Sequence, residues 1–314
     1  LRSHPEQPLA DIAWTLNEGR RAFERRRVIV AESHEQAAEL LEANDPRRVF
    51  SHTVIDDAPE VVFMFPGGGA QYAGMARDLY ETEPVFQDWM DRGLDILQAK
   101  LDYDIRAVWL PDEDGFEAAE ARLKQPSVQL PLIMIVEYAL AQLWMAWGVT
   151  PTALVGHSMG ENTAACLSGV MSFEDCIGLV HLRGELFDTV AAGGMLSVAM
   201  AAEELAPLLG DNLDLAGVNA SQLSVASGPQ AALDELEAEL RKRDVDCQRI
   251  GIDIAAHSKM LDPILQRFGD YLRSIKLSPP QIPFASNRSG EMITDAQATD
   301  PEYWVGHLRG TVHF

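Results

Sequence analysis

The chain has 314 residues, 47% of them hydrophobic, with 25 Lys and Arg against 48 Asp and Glu, giving a formal net charge of −23. Such a length accommodates about two domains with a substantial core, and the composition is that of a globular chain, not a disordered or fibrous one. The acid excess excludes a nucleic-acid groove or an anionic membrane surface, both of which need clustered cations; an anionic substrate would have to be met by a local exception to this field.

In chain order, residues 8–22 place Leu9, Ile12, Ala13 and Leu16 at helical spacing. A short strand at 27–31 and a helix through 35–41 follow, making residues 1–58 a small α/β unit. Val61 to Phe65 is an apolar run of the kind buried on both faces of a parallel sheet. Helices are expected near 76–80, over 84–101 with Pro84 at the first helical position, and over 130–147. The last is the longest apolar run, but Glu137 and Gln142 interrupt it, and no run approaches the ~18 residues of a bilayer span. A strand at 152–155, a tight glycine turn and a helix at 161–167 repeat the βα logic of a parallel sheet. From about 195 the order becomes strand 195–200, helix 202–209, strand 213–218, strand 223–226, helix 229–243 and strand 245–254. This βαββαβ pattern is ferredoxin-like. The expected fold class is therefore α/β: a hydrolase-like parallel-sheet subdomain over 59–193 and 256–314, with a ferredoxin-like small subdomain inserted at 194–255. A strand at 284–286 completes the expectation.

The N-terminus has no apolar signal core and no initiator Met, as in a piece of a longer chain, and a cytoplasmic location is expected. Cys166, Cys176 and Cys247 are unpatterned and the eight His lack HExxH spacing, so neither a disulfide framework nor a metal site is indicated.

Gly156-His157-Ser158-Met159-Gly160 fits G-x-S-x-G between a predicted strand and a predicted helix, the context a nucleophile elbow requires. Ser158 then stands at a helix N-terminus, where backbone N–H groups favour developing negative charge. Its base must come from elsewhere. His157 is adjacent on a sharp turn and points away, while His257, preceded by Ala255 and Ala256, is either the base or a surface histidine. The loop Pro66-Gly67-Gly68-Gly69-Ala70-Gln71 fits neither a P-loop nor a dinucleotide fingerprint, and is either an ordinary turn or a source of oxyanion-binding N–H groups. Arg183, in an apolar helix, either reaches for solvent or meets a carboxylate.

Together these residues resemble the malonyl-CoA:acyl-carrier-protein transacylases, and specifically the acyltransferase domains of modular polyketide synthases. The resemblance runs through Phe65-Pro66-Gly67 with Gln71, Gln125-Pro126, Gly156 to Glu161, Leu182-Arg183-Gly184, Ala256-His257-Ser258, and Tyr303-Trp304 with His307-Leu308-Arg309. It implies that Ser158 and His257 form an acyl-Ser intermediate from a malonyl-type coenzyme A thioester and pass the acyl group to the phosphopantetheine thiol of an acyl carrier protein. It further implies backbone oxyanion donors at Gly68 and Met159, a carboxylate clamp at Arg183, and Gln71, Gln125, His157, Asn219 and Ala256 around the substrate pocket. A main-chain carbonyl near His307 would orient the base. No bound cofactor is implied, coenzyme A being substrate, and residues 1–58 resemble the linker that follows a ketosynthase. On extender choice the residues conflict: Met159 favours malonyl, whereas small Ala256 leaves room for an α-methyl. A serine hydrolase using the same Ser-His pair, or a non-catalytic docking module, are the rival readings.

Overall fold

The computed structural model of the protein describes residues 1–55 and 59–314. Its contacts divide it into two compact units, Leu1–Glu60 and Val61–Phe314. The boundary expected after residue 58 ends on residues 56–58, which lie outside those described.

In the first unit, α1 (Leu9–Asn17) precedes the antiparallel pair β1 (Arg25–Val28) and β2 (Phe50–Thr53), which flank α2 (His34–Ala43). The first helix stops at Asn17, short of the expected residue 22, just before the Gly19 turn. Ser33 caps α2 by accepting from the Gln36 N–H, and Asn44 ends it in the left-handed region. Strand β2 carries no apolar alternation, because all four of its residues are exposed.

The second unit opens on β3 (Val62–Phe65), which pairs in parallel with β4 (Ala153–Gly156), Phe65 opposite Gly156. Between them lie α3 (Arg77–Thr82), α4 (Pro84–Gln98), α5 (Ile105–Trp109), α6 (Phe116–Arg122) and α7 (Pro126–Ala146). α7 starts four residues before the expected position, with Pro126 in its first turn. It is long and apolar enough to cross a membrane, yet 72% of its most apolar window is buried inside the protein, as in a core helix. Its acidic interruption, Glu137, is buried too and receives the Thr163 hydroxyl at 2.5 Å; burial pushes the carboxyl well above its usual range. α8 (Gly160–Leu167) and α9 (Phe173–Phe187) follow β4 directly. Phe284 bridges to Leu154 in parallel, so the segment expected as strand 284–286 extends this short sheet by a single bridge.

The inserted subdomain runs β5 (Gly194–Val198), α10 (Ala202–Leu205), β6 (Asp214–Ala220), β7 (Leu223–Gly228), α11 (Gln230–Lys242) and β8 (Cys247–Arg249). Its sheet order β8-β5-β7-β6, all antiparallel, is the ferredoxin-like arrangement, with Leu196, Val198, Leu233, Leu236 and Leu240 in its core. The last strand is shorter than expected: after Arg249 the chain leaves the sheet, so Ile250, Ile252 and Ile254 face a cavity instead. After α12 (Leu265–Ser274), α13 (Asp295–Ala298) and α14 (Pro301–Arg309), the chain returns as β9 (Val312–His313), parallel to β6 at the outer edge of this sheet. The closing segment thus ties the small subdomain to the large one.

Candidate active site

The turn between β4 and α8 holds Ser158 at φ 53°, in the left-handed region that non-glycine residues rarely adopt. The two flanking glycines explain how so sharp a turn fits. A Cβ on Gly156 would overlap the Gly160 and Glu161 backbone, and one on Gly160 would overlap the Phe65 carbonyl. The strain is held by Asn287, whose Oδ1 accepts from the Ser158 N–H at 2.7 Å while its Nδ2 donates to the Gly156 carbonyl at 2.7 Å. Asn287 is itself fixed, donating its main-chain N–H to Glu161 Oε2 at 2.7 Å. Tyr303 donates to the other Glu161 oxygen.

Ser158 Oγ lies 2.6 Å from His257 Nε2. His257, also in the left-handed region at φ 56°, turns Nδ1 to the Gly310 carbonyl at 2.9 Å. A carbonyl only accepts, so Nδ1 carries the hydrogen and Nε2 is left as the acceptor for the serine proton. Burial, then the nearby Arg183 cation, push His257 down to about 3, opposed by the Gly310 carbonyl; the ring is neutral at physiological pH, with Nε2 unprotonated.

Arg183 comes from α9 and is 2% exposed. Its Nη2 donates to Ser158 Oγ at 3.0 Å and its Nη1 to Asn162 Oδ1 at 3.1 Å, while Nε is buried without a partner among the described residues. The guanidinium lies 5.4 Å from the Phe187 ring centroid. Burial pushes it down to about 10, partly countered by Glu161, so it remains cationic at neutral pH. Among the described residues no carboxylate lies within ion-pair distance of it.

These groups open on a cavity of about 130 Å³ between the large and small subdomains. That is roomy enough for several waters or a short acyl group. Gly68 and Met159 both line it, and among the described residues neither of their backbone N–H groups donates a hydrogen bond. They are available to a developing oxyanion beside Ser158.

The remaining expected residues divide. Ala256, His157 and Asn219 line the cavity, with His157 Nε2 and Asn219 Oδ1 2.9 Å apart. Gln71 and Gln125 do not line it. Gln71 turns back to accept from the Gly69 N–H at 2.9 Å, and Gln125 only precedes α7, whose next turn offers Gln129 and Leu130 to the cavity. The geometric hydrogen bond of the base is to the Gly310 carbonyl, just past the end of α14 at Arg309, and the His307 main chain adds to the same upward pull on the His257 ring. The His307 side chain has another neighbour. Its Nε2 lies 3.3 Å from Glu161 Oε2 without hydrogen-bond geometry, and burial holds the ring well below its ordinary value, hence neutral.

Sequence reasoning missed Asn287, Asn162, Gln129 and Gly310. One signal existed for Asn287: a polar residue just beyond an apolar strand occupies the end of a parallel sheet where sites form.

Residues 62–314 match the family model described as acyl transferase domain, and residues 1–41 match one described as CurL-like, PKS C-terminal. The polyketide synthase GfsB of Streptomyces halstedii is 34% identical over 98% of this chain, and the erythronolide synthase EryA2 of Saccharopolyspora erythraea 36% identical over 100%. The chain spans only 6% and 9% of those proteins. Among solved structures, the acyl transferase domain of ZmaA superposes with a TM-score of 0.92 at 38% identity, covering 100% of this chain and 73% of that one. The acyl transferase domain of SpnD, in complex with 2-(pent-4-yn-1-yl)malonyl, gives 0.87 at 40% identity, covering 100% and 74%.

Proposed function

Because the chain belongs to the acyl transferase domain family, we propose that it moves a malonyl-type acyl group from a coenzyme A thioester, through acyl-Ser158, to the phosphopantetheine thiol of an acyl carrier protein in polyketide assembly. His257 Nε2 takes the Ser158 proton as Oγ attacks the thioester carbonyl. The tetrahedral oxyanion is received by the Met159 and Gly68 N–H groups; loss of one such donor costs about 3 kcal/mol of transition-state stabilisation. Collapse breaks the C–S bond, and the proton held on His257 goes to the departing coenzyme A thiol. The carrier thiol then gives its proton to His257 and attacks acyl-Ser158, and Ser158 recovers its hydrogen.

Arg183 carries this reading. A buried cation with only neutral partners, 3.0 Å from the nucleophile, has no purpose in a simple esterase but suits an acyl group with a free carboxylate. In the complex the substrate carboxylate replaces Ser158 Oγ as an Arg183 partner, which releases the nucleophile. That a 40% identical relative is known with a substituted malonyl bound makes malonyl thioesters the first class to test. In the parent protein, 1–58 is proposed as the linker after a ketosynthase, 59–193 with 256–314 as the large subdomain and 194–255 as the small one, working in the cytoplasm.

Intact-mass detection of acyl-enzyme after incubation with mixed coenzyme A thioesters tests the proposal. A malonyl-type adduct on Ser158 that persists in water and is discharged by holo carrier protein is expected. An adduct that hydrolyses equally fast with and without the carrier makes the protein a hydrolase; none at all, with Ser158 intact, makes it a docking module.

A further inference from the structure

Two consecutive residues of α8 meet the site in opposite ways. Glu161 sends its carboxylate behind the turn, to Tyr303 and the Asn287 N–H. Asn162 sends its carboxamide forward, and its Oδ1 accepts from Arg183 Nη1 at 3.1 Å. Asn162 is 1% exposed, and its main chain is held on both sides: its N–H donates to the Met159 carbonyl at 2.8 Å and its carbonyl accepts from Cys176 Sγ at 3.4 Å. Among the described residues Arg183 is the only hydrogen-bond partner of the carboxamide, Nδ2 having none, so the oxygen is the end that faces the guanidinium.

A buried guanidinium needs its terminal nitrogens satisfied to stay in one plane, and a carboxylate would do this most strongly. It would also neutralise the charge that an incoming anion requires. A carboxamide holds the fork in place and leaves the charge uncompensated. We propose that Asn162 is a positioning and specificity-determining residue: it fixes the Arg183 fork beside Ser158 and, being neutral, keeps that cation free for a carboxylate-bearing acyl group. The inference rests on the reading of Arg183 given above.

The test compares Asn162→Asp, Asn162→Ser and Arg183→Ala in the full 314-residue chain, with malonyl-CoA and acetyl-CoA as the two probes. Asn162→Asp keeps the shape and places a carboxylate on Nη1; kcat/KM for malonyl-CoA is expected to fall about 100-fold, with acetyl-CoA within about threefold. Asn162→Ser shortens the side chain and withdraws the carboxamide oxygen from Nη1 without adding charge, and should raise the malonyl-CoA KM about tenfold with a smaller change in kcat and in acetyl transfer. Should the Asp variant be insoluble, the Ser variant decides alone. Equal losses for both substrates, or unchanged selectivity in both Asn162 variants, overturn the proposal. If Arg183→Ala alone shifts selectivity, only the role of Asn162 is wrong; if it too lowers both substrates equally, the carboxylate reading of Arg183 falls with it.

Discussion

Arg183 and Glu161 are both buried beside the same serine turn, and the protein treats them in opposite ways. Behind the turn, Glu161 has a hydroxyl and a backbone N–H on its two oxygens, and it braces Asn287, which braces the backbone on both sides of His157. In front, among the described residues, Arg183 has two neutral acceptors, an unpartnered Nε and no carboxylate. Burial acts alike on both: it pushes Glu161 up to about 7 and Arg183 down to about 10, in each case against the charged form. What differs is what each group is left able to do. A satisfied network is scaffold; a cation with unfilled hydrogen-bonding capacity is a receptor.

Four measurements break or sharpen that contrast. The largest effect belongs to the centre both sides serve: Ser158→Ala should abolish the acyl-enzyme mass adduct and lower turnover roughly 10⁴-fold or more, because the base acts through that oxygen and no acyl-enzyme forms without it. On the front side, Arg183→Ala should cost about 100- to 1000-fold in kcat/KM for a carboxyacyl thioester while sparing acetyl transfer. The front thereby acts on one substrate class.

A change behind the turn should act on every substrate equally. Asn287→Ala leaves the Ser158 N–H and the Gly156 carbonyl buried without that partner, so a loss of about 2–4 kcal/mol in chemical denaturation is expected, with malonyl and acetyl rates falling in parallel. A drop confined to malonyl transfer would erase the distinction between the two sides.

The fourth effect is seen only against pH. Glu161 is raised in the fold from its ordinary 4.5 to about 7, chiefly by burial. The folded chain therefore holds this proton more tightly, a contribution complete below pH 4.5 and lost as pH rises through 7. Glu161→Gln removes it, so the variant should gain on wild type between pH 4.5 and 7.5 by up to the order of 3 kcal/mol. Parallel stability curves for the two proteins would show that Glu161 does not titrate in this range.

Legibility in the sequence followed the range of the interaction. The elbow was readable because its constraints are local: strand, turn and helix occupy adjacent residues, and a turn this tight admits only glycine at Gly156 and Gly160. The alternation of strands and helices in the small subdomain was readable for the same reason. The start of α7, by contrast, is ambiguous in the sequence because Pro126 sits as comfortably in a first turn as before a helix. Gln71 and Gln125 were placed at the pocket by resemblance, yet the direction of a side chain on a loop depends on which backbone N–H it finds first.

Composition and local pattern thus determined the fold class, the serine and a short set of partners for it. Tertiary structure decided how His257 reaches the serine, that the Gly310 carbonyl accepts from its Nδ1, and that Asn162 faces Arg183 while its neighbour faces away. Those contacts join residues from 21 to 99 positions apart. No local periodicity encodes such pairings, because they arise only when the inserted subdomain and the returning C-terminal segment close over the same turn.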